Sequence, residues 1–143
     1  MVKVDVLMPH YNDLTGLKLS LDSIARQDWK GEFRIVVCDD GSTKENYLEA
    51  FKILEEYDGE TFLIRNEKNL GRPKTRNVLL ENIESDYVAW LDAGDEWYPA
   101  KTRLQFDAIY RSMVRYDNRH VWVTCSYDWK WVGGRARTIA QNV

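Results

Sequence analysis

Four short, nearly unbroken apolar runs, Val4 to Met8, Phe33 to Cys38, Phe62 to Ile64 and Tyr87 to Leu91, punctuate the first two-thirds of the chain and constrain its fold more than any other feature. Runs of this length without polar alternation are what strands look like when a parallel sheet is covered on both faces. Between them the apolar period changes. Leu17, Leu21, Ile24 and Ala25 recur at helical spacing after Asn12 to Thr15, and Tyr47, Leu48, Phe51 and Leu54 do so after Ser42-Thr43, with Glu45 and Glu49 towards the favourable N-terminal end. Val78, Leu79, Leu80 and Ile83 follow Pro73, which suits a first helical turn. Leu104, Ala108, Ile109 and Met113 mark a fourth helix from about Pro99 to Tyr116.

Strand and helix in strict alternation predict right-handed crossovers and an α/β domain with a mostly parallel central sheet and flanking helices. His120 to Tyr127 reads as one more strand, and Trp129 to Arg135, with Gly133-Gly134, as a hairpin or a strand and turn. No repeat or linker divides the chain, so residues 1–143 are read as a single domain, large enough to bury roughly two-thirds of its unfolded surface.

In such sheets a ligand sits outside the carboxyl ends of the strands. The polar residues gather there. Pro9, His10, Tyr11, Asn12 and Asp13 follow the first run, and Asp39-Asp40-Gly41-Ser42-Thr43 the second. Arg65 to Arg76 follows the third, and Asp92-Ala93-Gly94-Asp95-Glu96-Trp97 the fourth.

Tyr11 and Asn12 offer an aromatic face and an amide, a pair able to hold a planar base, although a lone Tyr is more often packing. Asp39 and Asp40 repel each other unless something compensates, and Gly41 permits the tight turn after them. One acid can accept from a ligand N–H while the other anchors the loop; alternatively Asp39 satisfies backbone amides and Ser42 or Thr43 caps the helix. Arg72, Lys74 and Arg76 surround a helix start, where a bound phosphate is a natural reason for cations; the alternative is a solvated surface with Arg76 paired to an acid. Asp92 and Asp95, either side of Ala93-Gly94, suit a hard divalent cation, which takes oxygen ligands and leaves positions for substrate phosphate. The plainer duty for Asp95 is a helix cap.

A net charge of −3 provides no positive field for gripping nucleic acid through its phosphates. Cys38 and Cys125 stand far apart with no CxxC spacing, which points to buried thiols in a reducing compartment rather than a zinc site or disulfide framework. The first apolar run is too short for a signal peptide and no stretch approaches about 18 apolar residues, so a cytoplasmic protein is expected. Attachment at the inner face of the membrane is left to sequence beyond this chain.

Taken in order, Val6 to Asn12, Val36 to Thr43, Asn69-Leu70-Gly71 with Thr75-Arg76-Asn77, and Ala89 to Pro99 resemble the signature of glycosyltransferase family 2 over nearly the whole chain. The resemblance implies a GT-A, Rossmann-like fold that binds a nucleotide diphosphate sugar, usually a UDP-sugar, and transfers the sugar with inversion, assisted by Mn²⁺ or Mg²⁺. Carried over by position, Pro9 and Tyr11 line the base, Asn12 and Gly71 lie on the nucleotide, and Asp40 accepts from the base ring N–H. Asp39 supports that loop and Arg76 helps to hold the nucleotide. Asp95 is the first candidate metal ligand and Asp92, also on the nucleotide, the second.

Two departures stand out. Many members read Asp-x-Asp-Asp where this chain has Gly94 at the third place, and no general base for the acceptor hydroxyl is identified, because Asp128 and Glu96 have no distinguishing feature. The chain therefore reads as a C-terminally truncated donor-binding part. The acceptor, whether a saccharide, a lipid-linked saccharide or a protein, is unknown. A non-catalytic nucleotide-sugar-binding module, or an inactive fragment, is the alternative. A receiver-like phosphoacceptor domain is disfavoured, since its acidic pair should follow the first strand rather than the second.

Overall fold

The computed structural model describes residues 1–117, 120–132 and 135–140. It divides into two compact units, Met1–Leu21 with Gly31–Gly94, and Asp22–Lys30 with Asp95–Val143. Helix α1 (Leu14–Ala25) runs from the first unit into the second.

The first unit is built on four parallel strands, β1 (Lys3–His10), β2 (Glu32–Asp39), β3 (Glu60–Arg65) and β4 (Tyr87–Trp90), in the order β3-β2-β1-β4. All four expected strands are present. Because β1 lies between β2 and β4, the direction of winding reverses at the β1/β4 boundary, and the ends of these strands form the crevice where ligands of such sheets bind. Helix α2 (Lys44–Glu55) starts at Thr43, whose Oγ1 accepts from the Asn46 amide at 3.2 Å. Helix α3 (Arg72–Leu80) starts after Gly71 at φ 83°, with Pro73 in its first turn. Leu79 of α3 is fully buried and packs with Leu7, Val36 and Cys38, which holds the helix against one face of the sheet.

The two central strands carry two cross-strand polar pairs in direct register. Asp5 on β1 stands opposite Arg34 on β2, and His10 opposite Asp39. Asp5 is wholly buried; besides Arg34 Nη1 at 3.1 Å it accepts from the amides of Glu84 and Ser85 and from the Ser85 hydroxyl. Burial pushes its carboxyl up, but these donors and the guanidinium outweigh that and hold it below the usual carboxylate range.

In the second unit, helix α4 (Lys101–Tyr116) and a sheet of order β5-β7-β6 are formed from β5 (Glu96–Trp97), β6 (Tyr127–Val132) and β7 (Arg135–Ala140). Strands β6 and β7 pair antiparallel, in agreement with the hairpin reading, while Gly133 and Gly134 lie outside the described residues. The expected strand from His120 to Tyr127 does not form: residues 120–126 carry no regular structure, Trp122 is 84% exposed, and only Tyr127 joins a ladder. β-branched composition there meets no strand to pair with among the described residues. Strand β5 went unforeseen because two residues carry no readable period.

The start of α4 is held by Gln27, whose Oε1 accepts from the Thr102 amide and hydroxyl at 3.0 and 2.8 Å and whose Nε2 donates to Tyr98 O at 2.8 Å. Ala100, not Asp95, occupies the cap position. Lys101 is buried with its ammonium 3.9 Å from the centre of the Trp97 ring and donates to Gln105 Oε1. Burial lowers its pKa to about 8, against a small opposing effect of Cys125.

Candidate functional site

At the carboxyl end of the first unit's sheet, the loops after β1, β2, β3 and β4 are joined by one hydrogen-bond network. The Asp40 amide donates to His10 O, the Asn66 amide to Asp39 O, and the Ala93 amide to Pro9 O. These bonds continue the sheet ladder past the strand ends, so the loops leave the rim side by side.

Asp40 lies at the centre. Its Oδ1 accepts from Asn66 Nδ2 at 2.9 Å and from the Leu70 amide at 2.8 Å, and its Oδ2 from the Gly71 amide at 2.9 Å. Burial raises the pKa of this carboxyl, but the Leu70 and Gly71 amides, Asn66 and the Thr75 hydroxyl more than offset that, and it is held below its ordinary range. Gly41 at φ 74° makes the turn that follows, and a Cβ there would run into the Lys68 and Asn69 backbone.

Asp39 is wholly buried and points to protein, not to the rim. Its Oδ1 faces His10 Nδ1 at 3.1 Å and its Oδ2 accepts from the Ser42 amide at 3.1 Å. Burial is again overcome, here by donation from His10 and from the hydroxyl and amide of Ser42, and the carboxyl is held low. The thiol of Cys38 behind this pair is pushed up to about 12 by burial and by the two carboxylates.

Asn12 has φ 50°, in the left-handed region that Asn tolerates better than most residues. Its amide donates to Ser42 Oγ at 2.8 Å, and its Oδ1 accepts from the Thr43 amide and Asn46 Nδ2 at 3.0 and 2.9 Å. It binds the first loop to the start of α2. Tyr11, beside it, is 50% exposed and presents its ring.

Arg76, one turn into α3, donates from Nη2 to both oxygens of Asp92, each at 2.9 Å, and lies 5.5 Å from the centre of the Trp90 ring. The alternative in which Arg76 pairs with an acid is the arrangement found. The turn after Asp92 is tied down by the Gly94 amide, which donates to Ser20 Oγ at 2.9 Å. Gly94 has φ 102°, and a Cβ on Gly16 would approach its Cα to 2.9 Å. Glycine at both places suits this local geometry.

Pro9, Tyr11, Asn12, Asp39, Asp40, Gly71, Arg76 and Asp92 all belong to the first unit; Asp95 belongs to the second. Among the described residues no three His, Cys, Asp or Glu side chains are grouped to hold a metal ion. A hard cation that arrives with a diphosphate uses only one or two carboxylates and completes its shell with phosphate and water oxygens, so Asp92 and Asp95 are donors of the right chemistry. Asn66, Ser42, Ser20 and Thr75 were not singled out as ligand-loop supports. Their signal is positional only: each lies within or opposite a recognised motif.

Comparison with known proteins agrees with this arrangement. Residues 5–137 match the family model for glycosyl transferase family 2. The chain is 28% identical over 113 residues to the UDP-Glc:alpha-D-GlcNAc-diphosphoundecaprenol beta-1,3-glucosyltransferase WfgD of Escherichia coli, covering 79% of this chain and 43% of WfgD. It is 37% identical over 99 residues to the poly(ribitol-phosphate) beta-N-acetylglucosaminyltransferase TarS of Staphylococcus aureus, covering 66% of this chain and 17% of TarS. The structure of TarS residues 1–349 in complex with UDP-GlcNAc superposes with a TM-score of 0.63 at 29% identity over 94% of this chain and 36% of that one. A mannosyltransferase of Pyrobaculum calidifontis shares the fold at a TM-score of 0.69, 24% identity and coverage of 87% of this chain and 35% of that one. The chain spans less than half the length of these relatives. With a GT-A α/β fold and a family match over residues 5–137, the chain belongs to glycosyl transferase family 2.

Proposed function

We propose that the first unit binds the nucleoside diphosphate of a UDP-sugar, and that the protein containing it transfers the sugar to an acceptor with inversion. The observation that carries this reading is the Asp40 carboxylate. It is held below its ordinary range by Asn66, Thr75 and the Leu70 and Gly71 amides, on the loop that leaves β2 opposite the half-exposed Tyr11. An ionised carboxylate can only accept, so it selects a ring that presents an N–H. Uracil does so at N3, whereas cytosine presents a lone pair there.

Pro9 and Tyr11 would flank the base, and Asn12 and Asp39 would hold the loops that do so. Gly71 and Arg76 lie where the nucleotide's phosphates are expected, and Arg76 can exchange part of its bidentate bond to Asp92 for phosphate oxygen. Asp95 and Asp92 would hold Mn²⁺ or Mg²⁺, which supplies charge stabilisation to the departing diphosphate. UDP-sugars as donors agree with the UDP-Glc used by WfgD and with the UDP-GlcNAc bound to TarS. No helix among the described residues is long and apolar enough to cross a membrane.

Titration calorimetry with UDP, with and without Mn²⁺, tests the proposal. Binding that strengthens with Mn²⁺ and weakens on the order of tenfold or more in Asp40→Asn is expected, the loss of a hydrogen bond to a charged group being about 1.5–3 kcal/mol. Equal affinity in wild type and Asp40→Asn would remove Asp40 from the base site.

A further inference from the structure

His10 has one feature that the donor site as described leaves unexplained. Its side chain is fully buried, Nδ1 lies 3.1 Å from Asp39 Oδ1, and Nε2 has no hydrogen-bond partner. Buried polar atoms are almost always satisfied, so a histidine that leaves one nitrogen bare is retained for what the other nitrogen does. Ionised Asp39 can only accept, which places a proton on Nδ1.

That proton closes a ring. From His10 Nδ1 the path runs to Asp39 Oδ1, from Asp39 Oδ2 to the Ser42 amide, from Ser42 Oγ to the Asn12 amide, and back through the peptide of Tyr11 to His10. The Asp40 amide bonded to His10 O braces the ring from inside. Asn12 turns the chain at φ 50° and its side chain is occupied by Thr43 and Asn46. Within this ring Tyr11 is the member whose side chain turns outward, half exposed, and Asp40, the next residue after Asp39, supplies the base acceptor. Ring closure therefore sets the distance between an aromatic platform and a hydrogen-bond acceptor.

We propose that His10 is a positioning residue that sets nucleobase selectivity, acting through Nδ1 alone by closing the ring that holds Tyr11 against the Asp40 loop. The proposal rests on the reading of this rim as a uridine site. It assigns His10 no contact with the ligand.

The two nitrogens can be separated by substitution, because the Asn amide nitrogen falls near Nδ1 of histidine and the Gln amide nitrogen near Nε2. Calorimetry of UDP and of CDP, each with Mn²⁺, on the whole chain and on His10→Asn and His10→Gln gives the preference for uracil in each. Wild type is expected to prefer UDP, His10→Asn to keep that preference within about threefold, and His10→Gln to lose about tenfold of it, the order of one hydrogen bond to a charged group. A merely structural role would lower both affinities together and leave their ratio alone. Retention by Gln with loss in Asn would make Nε2 the working atom and overturn the proposal, as would retention by both or loss by both. If His10→Gln does not fold, His10→Asn decides alone: loss of the preference overturns the proposal and retention supports it. Wild type that binds neither nucleotide would instead overturn the uridine reading itself.

Discussion

Adjacent acids on one strand end divide their work by the direction each side chain takes. Asp39, pointing into the protein, spends its oxygens on His10 and Ser42, while Asp40 gathers the Leu70 and Gly71 amides and Asn66 of the loop before α3. The pair was legible in sequence as a pair, since two acids before a glycine need compensation. Which acid turns to His10 follows from the alternation of side chains along β2, and that phase is set only when the strand is paired in register with β1. Asn12 shows where sequence reading stops: an amide beside a tyrosine suits a base, yet its oxygen is taken by two groups on the next loop, and only coordinates report that. Cys38 yields a prediction of its own. With its thiol pushed up to about 12, it should resist iodoacetamide at pH 8 in the folded protein and react after denaturation, as peptide mass analysis would show.

Helices α2 and α3 begin where the sequence places them, because their start signals are local. Thr43 as a cap and Pro73 in a first turn need no tertiary partner to act. The segment from His120 to Tyr127 had only composition in its favour, and a strand exists only if another lies beside it. Gly41→Ala combines a strained positive φ with collision against the backbone at Lys68 and Asn69, neither of which can rotate away. It is expected to cost about 2 kcal/mol or more in chemical denaturation, in the range of overpacking plus backbone strain. Lys101 at the start of α4 gives the opposite sign. Its pKa is lowered to about 8 in the folded chain, so the folded state disfavours the proton; the cost to stability is complete below about pH 8 and fades as pH rises towards the unfolded value. Lys101→Met should therefore be more stable than wild type at pH 7, by on the order of 1–3 kcal/mol. The gap should narrow between pH 8 and 10, which urea titrations at several pH values would reveal.

Across the whole molecule, buried carboxylates make acid the condition to which folding should be most sensitive. Asp5, Asp39 and Asp40 all have folded pKa values below the unfolded one, so the stability they contribute is present above about pH 4 and disappears as pH falls through the folded values. Stability measured by denaturant at pH 6 and at pH 3 should fall steeply between the two. Asp5→Asn should start lower and fall less, because one of the linked protons is gone. An equal slope in wild type and variant would show that Asp5 is not among the groups that drive the loss.

The polar pairs on β1 and β2 have a further consequence. The acid is on β1 in one pair and on β2 in the other, and both pairs face each other directly across the same ladder. Sliding β2 by two residues one way would set Asp5 beside Glu32, and sliding it the other way would set Asp5 beside Val36 and His10 beside Gly41. Either error buries a charge with no counterpart, at a cost of several kcal/mol. The two strands thus act as a keyed lock and tongue: mis-threaded arrangements are rejected during assembly, and the loops that follow them leave the sheet at matching heights.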